Sequence, residues 1–266
     1  TLAFNKAFEG GAARLSVSDV HNTSVIPNAG LNRQTFNLST NYNITKRLIV
    51  DVKANFLLET VKNRPNLSDA PGNPNFGVMF LPSSLDVRNL EPGVDGDGSE
   101  LQFVNDAFTT NPWFSANKFQ HKTDRNRLLG NASLRYNFDN GFFLQGRVGY
   151  DGFNDRLTNV VPNGTAYRPD GSMNETFAKF SEINADVLVG REFQIGTDFT
   201  VSANIGGNLM RQETENTVEN GFIFATRYLY SMANTQNRNI NYRSTEMEVQ
   251  SVYGTAELGY KGTLFL

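Results

Sequence analysis

Asp95, Asp97 and Glu100 stand in the run Asp95-Gly96-Asp97-Gly98-Ser99-Glu100, which sets three carboxylates on a glycine-rich turn. Hard cations take oxygen ligands of this kind, so the run resembles the opening of a calcium loop. It lacks the distant Glu of an EF-hand, and an acidic exposed turn is the simpler reading. The chain has no cysteine and only two histidines, His21 and His121, which leaves little material for zinc. No nucleophile elbow of the G-x-S-x-G kind occurs either, so no catalytic constellation and no enzyme is expected. Trp113 and Phe114, in Asn111-Pro112-Trp113-Phe114, could stack on a sugar or pack against a lid; alternatively they anchor a long loop. Tyr167 and Arg168 carry the same two readings.

The elements that must position these residues are strands. From Leu128 to Phe138, Leu128, Gly130, Ala132, Leu134 and Tyr136 fall on one side, with Asn131, Ser133, Arg135 and Asn137 on the other. Asp139-Asn140-Gly141 tolerates positive φ and closes a hairpin. The return strand places Phe142, Leu144, Val148 and Tyr150 with the apolar face, and Gln145, Arg147 and Asp151 opposite. Each strand is about a dozen residues long, beyond the usual 5 or 6 of globular sheets. It is capped by aromatics near the turn, as membrane-spanning strands of about 9 to 11 residues are.

The same alternation recurs along the chain. Phe36, Leu38 and Tyr42 oppose Asn37, Ser39 and Asn41; Leu48 to Leu58 oppose Asp51, Lys53 and Asn55. Ile183, Val187 and Val189 oppose Glu182, Asn184 and Asp186. Between the strands, short turns alternate with long connections. The longest runs from 60 to 125, far past the 12 to 15 residues at which a loop needs a functional reason. It is stiffened by six prolines, and its Leu81 to Leu90 stretch suits a helical turn or a short strand. Further loops are expected from about Asn154 to Glu175 and from about Gln212 to Glu246. Antiparallel strands then gather all short turns at one rim and all long loops at the other, the asymmetry of outer-membrane barrels with short periplasmic turns and long extracellular loops.

Composition fits this picture. A net charge of −3 over 266 residues gives no basic footprint for nucleic acid. Negative mean hydropathy and the lack of any apolar run long enough for a membrane helix are neutral, since barrel strands hide apolar residues at every second position. The fold class expected is all-β, an antiparallel transmembrane β-barrel segment of about ten strands over residues 1–266.

Several strings carry a family resemblance: GLNRQTFNLSTNYNITKRL at 30–48, VKNRPNLSDAPGNPNFG at 61–77, NPWFSANKFQHKTDRNRLLGNASLRYNF at 111–138 and GTAYRPDGSM at 164–173. They resemble SusC/RagA-type TonB-dependent transporters, and VYGTAELGYKGTLFL at 252–266 is similar as well. The resemblance implies the middle of a large outer-membrane barrel in a Bacteroidota-type cell, importing glycan or peptide fragments. It also implies a SusD-like surface lipoprotein over the mouth and TonB acting through an N-terminal plug region. No plug, TonB box or closing strands are recognised in these residues, and both ends read as falling within strands, so the chain is expected to be part of a longer transporter. Asp51, Lys53, Arg135, Arg147, Asp151, Glu182 and Asp186 then face the lumen, where they guide solute or pair with the plug; pairing is favoured, because charges in a plugged lumen need partners. The rival reading is a soluble all-β carbohydrate-binding or adhesin module, in which the apolar face would line a protein core instead of meeting lipid.

Overall fold

The computed structural model describes residues 1–266 as one antiparallel sheet of ten strands, each paired with its neighbour in sequence. The strands are β1 (Leu2–Phe8), β2 (Gly11–Thr23), β3 (Gly30–Asn43), β4 (Leu48–Lys62), β5 (Gln120–Asn137), β6 (Phe142–Val161), β7 (Ser172–Ile195), β8 (Phe199–Phe224), β9 (Thr235–Tyr260) and β10 (Leu264–Phe265). The short connections lie at one rim and the long ones at the other. The sheet is not closed, and β1 and β10 form its edges.

Register shows why one face is apolar. Cross-strand partners share a face, and the row Val50, Leu134, Gly146, Val187, Gly207, Val252 runs unbroken through six strands. On β4 the apolar side runs from Leu48 to Leu58, on β5 from Leu128 to Tyr136, and on β8 from Phe199 to Leu209, about the 9 to 11 residues that cross hydrocarbon. Val187 is 55% exposed and Ile205 62%, with no second sheet over them. A sandwich would have buried both. This face belongs to lipid and the opposite one to the lumen.

Aromatics mark both limits of the band. Near the short turns Phe8 meets Tyr42 at 5.7 Å between ring centroids, Tyr136 meets Phe138 at 4.7 Å, and Phe199 meets Tyr260 at 5.0 Å. Phe36 and Phe56 pair at 6.4 Å at the upper edge. Such rings settle at membrane interfaces, where one side is apolar and the other wet.

The strands do not stop at the band. β7 has 24 residues and β8 and β9 have 26 each, so most of the loops expected at 154–175 and 212–246 are paired strand. Only residues 162–171 and 225–234 connect them. Above the band the outer face is polar, as in Asn154, Arg156 and Thr158 of β6 or Glu213, Glu215 and Thr217 of β8. Ion pairs at 2.7 Å between Arg156 and Glu175 and between Lys122 and Asp124 replace apolar contacts there. The hydrophobic alternation ends while the backbone ladder continues.

Candidate functional site

The loop at 63–119 is a packed body, not a slack connection. It holds two short helices, α1 (Pro74–Met79) and α2 (Pro112–Lys118), and a 3-10 turn at Val87–Leu90. Asn111 caps α2 by accepting from Trp113 N at 2.9 Å and Phe114 N at 3.3 Å, with Pro112 at the position that needs no N–H. Phe114 is 0% exposed and sits edge-on to Phe119, while half-buried Trp113 donates its indole N–H to Val87 O at 2.8 Å. Of the two readings open for this pair, Phe114 takes the anchoring one: a fully buried ring touches neither solute nor lid. Trp113 is bound into the same body through its indole.

The acidic turn is arranged differently from a cation loop. Asp95 accepts from Asp97 N and Ser99 N, closing a tight turn on itself. Glu100 points away from both, 5% exposed, and accepts from Asn111 N at 2.8 Å and Ala166 N at 2.9 Å. No group of three carboxylate or histidine side chains is gathered that could hold a metal, and of the candidate calcium set Asp95, Asp97 and Glu100 the third carboxylate ties 63–119 to 162–171.

Burial pushes the Glu100 carboxyl above its usual range, against the opposing pull of the Ala166 and Asn111 N–H groups. A raised folded-state value means that this group's contribution is full below the unfolded-state pKa and is lost as pH rises through the folded-state value. Docking of the two loops is therefore expected to strengthen on going from neutral to mildly acidic pH, read as slower hydrogen exchange at Asn111 and Ala166 after correction for intrinsic rates. Glu100→Gln should abolish that dependence. It should also open the junction at all pH values, because its amide group turns a donor toward one of two N–H donors, a mismatch of about 1–3 kcal/mol.

The predicted lumenal charges lie on the polar face and divide into groups. Arg147 donates to Asp186 at 2.8 Å, and Arg127 grips Asp151 with two hydrogen bonds at 2.8 and 2.6 Å. Asp51 accepts from Asn41, and Arg135 donates to Asn137 with its guanidinium 3.8 Å from the Phe143 ring centroid. Lys53 and Glu182 have no ion-pair partner within the wall. A shallow recess of about 410 Å³ gathers Asp51, Lys53, Arg147 and Asp186.

Two lumenal features lie outside the residues picked from sequence. Arg33, Glu59, Arg125 and Asp155 form one cross-strand row of alternating charge, with Arg125 held to Asp155 at 2.7 and 2.5 Å. Nearer the loops, His121, Asn159, Asn174 and Asn220 form a second row: His121 Nδ1 lies 2.9 Å from Asn159 Oδ1, and Asn174 donates to Asn220 Oδ1 at 2.9 Å. Counting every second residue onward from Asp151 on β6 and Glu182 on β7 would have found both rows. Directly above, Arg168 lies 5.9 Å from the Tyr167 ring and 5.3 Å from Phe222, and Tyr167 stacks on Phe108 at 5.8 Å.

A single antiparallel wall with a lipid band, a polar lumen and loops packed at one mouth has the architecture of a TonB-dependent receptor barrel, and comparison with solved structures bears this out. The RagAB peptide transporter matches at a TM-score of 0.76 with 16% identity, over 99% of this chain and 30% of that one. The siderophore receptor PiuA from Acinetobacter baumannii matches at 0.57 with 13% identity, over 96% and 37%, and the ferripyoverdine receptor of Pseudomonas aeruginosa at 0.51 with 11%, over 93% and 30%. These are transporters and receptors; the chain shares the fold of their barrel walls and spans about a third of their length. No protein-family model and no curated protein matches the chain.

Proposed function

We propose that this chain is the wall of a TonB-dependent importer in the outer membrane of a Bacteroidota-type cell, passing oligomeric nutrients, peptide fragments foremost and glycan fragments as the variant. The lipid-facing band with aromatics at both limits carries this reading, because it fits a bilayer and nothing else in the fold covers it. Peptide comes first because the RagAB likeness is the stronger one by TM-score. A SusD-like lipoprotein over the loop rim completes the proposal.

The test is uptake of labelled oligopeptides and oligosaccharides by cells with and without the full-length protein that carries this chain, repeated with TonB depleted. Loss of uptake in both deletions, with monomer uptake intact, is the expected result. Unchanged uptake of every oligomer would sink the proposal.

A further inference from the structure

The mouth of the lumen carries an arginine that the wall has left free. Arg33, Arg125, Arg127 and Arg147, all on the polar face, each hold a carboxylate. Arg168 makes no ion pair; its one side-chain hydrogen bond runs from Nη1 to Ser172 Oγ at 3.1 Å. The guanidinium is steered by two rings, Tyr167 of its own loop and Phe222 of β8. Register fixes which way this group faces: Ser172 pairs with Phe222, and two residues further along the same faces Asn174 pairs with Asn220. Both pairs continue the lumenal column of β7 that contains Glu182 and Asp186. Phe222 remains 40% exposed and Phe108, stacked on Tyr167, 61%.

Fixed aromatic faces, a planar fork with only Nη1 engaged and a row of carboxamides below make up a recognisable chemistry. The fork matches a carboxylate in two-point geometry. The rings take an apolar or ring-shaped portion of the same molecule; Asn174 spends its amide on Glu219 O and Asn220 Oδ1, which leaves the Nδ2 of Asn220 as a donor for a carbonyl or hydroxyl oxygen. We propose that Arg168, with Tyr167, Phe108 and Phe222 around it and Asn174 and Asn220 beneath, is the subsite that takes a carboxylate of the incoming oligomer at the lumenal mouth. The proposal rests on the importer reading and adds a preference for acidic ends to it. A peptide C-terminus and a uronic acid are the two sources of such a group.

The experiment measures binding to the full-length transporter in detergent for two pairs of probes: penta-alanine with a free C-terminus against its C-terminal amide, and trigalacturonate against its methyl ester. The intact protein is expected to favour the charged member of at least one pair by about ten- to a hundredfold, the usual range for hydrogen bonds to a charged group. The pair that discriminates names the source. Arg168→Gln should remove the preference while leaving affinity for the neutral member unchanged, and Arg168→Lys should restore part of it. Gel mobility of unheated samples checks that the variants fold. Equal binding of charged and neutral probes by the intact protein, or a preference that survives Arg168→Gln, overturns the subsite and leaves import standing. Failure of every oligomer to bind overturns both.

Discussion

Leu134→Arg is expected to cost about 1–3 kcal/mol of folding into a bilayer, between the midplane and interface values for a lipid-facing Arg, whereas Asn131→Arg, three residues away on the same strand, should change it by no more than about 0.5 kcal/mol. Leu134 lies within the apolar side of β5, two residues from Tyr136 at its lower limit and in the row from Val50 to Val252, and faces lipid with nothing to pair a charge. Asn131 is exposed on the other face, in the recess with Asp51 and Asp186. A denaturant titration of the full-length protein in lipid vesicles, following the mobility shift of the folded form, reads both. Equal costs would mean that the two faces share one environment, as in a soluble module, and would remove the physical basis of the membrane assignment.

Phe114→Ala should loosen the whole 63–119 loop without unfolding the sheet beneath it. The ring is fully buried, and removing one of that size costs about 3–5 kcal/mol when the site cannot collapse. Collapse is obstructed, because Gly93 adopts φ +89° against the start of α2, where a Cβ would come within 2.2 Å of Phe114 N. Gly93→Ala should therefore give the same outcome by pushing from the opposite side. Limited proteolysis is the measurement: faster cleavage between 63 and 119, with the membrane-embedded strands still protected. Trp113→Ala, at a half-exposed position, should have a smaller effect. Unaltered cleavage in Phe114→Ala would show that the loop is held by something other than this ring.

The band and its aromatics were legible in the sequence because lipid imposes a period of two on residues such as Leu48 to Leu58 and Ile183 to Val189. The upper halves of β6 to β9 were not, and the reason is physical. Once both faces of a strand meet water or polar partners, nothing obliges Glu213, Glu215 and Thr217 to differ in polarity from Gln212, Thr214 and Asn216. The ladder hydrogen bonds that keep them extended leave no mark on side-chain type. Helix α2 did leave one, since Asn111-Pro112 is a cap followed by a proline at the first helical position, but the run was read for its tryptophan. The setting of Glu100 is hidden for a related reason: spacing lists carboxylates on a turn, and only the neighbouring 162–171 loop reveals that one of them is turned inward.

Strands of 26 residues with a lipid band of only about ten place more than half of β8 and β9 beyond the hydrocarbon. One continuous hydrogen-bonded ribbon thus answers to two separate selective pressures. In its lower stretch, from Phe199 to Leu209, the lipid-facing positions can exchange only one apolar residue for another. Its upper stretch can drift in charge, size and chemistry while insertion proceeds unchanged, as long as the ladder holds. Under the proposed import role, a lineage meeting a new food source could rebuild the entrance residue by residue from Asn216 to Phe222 and keep the same anchor.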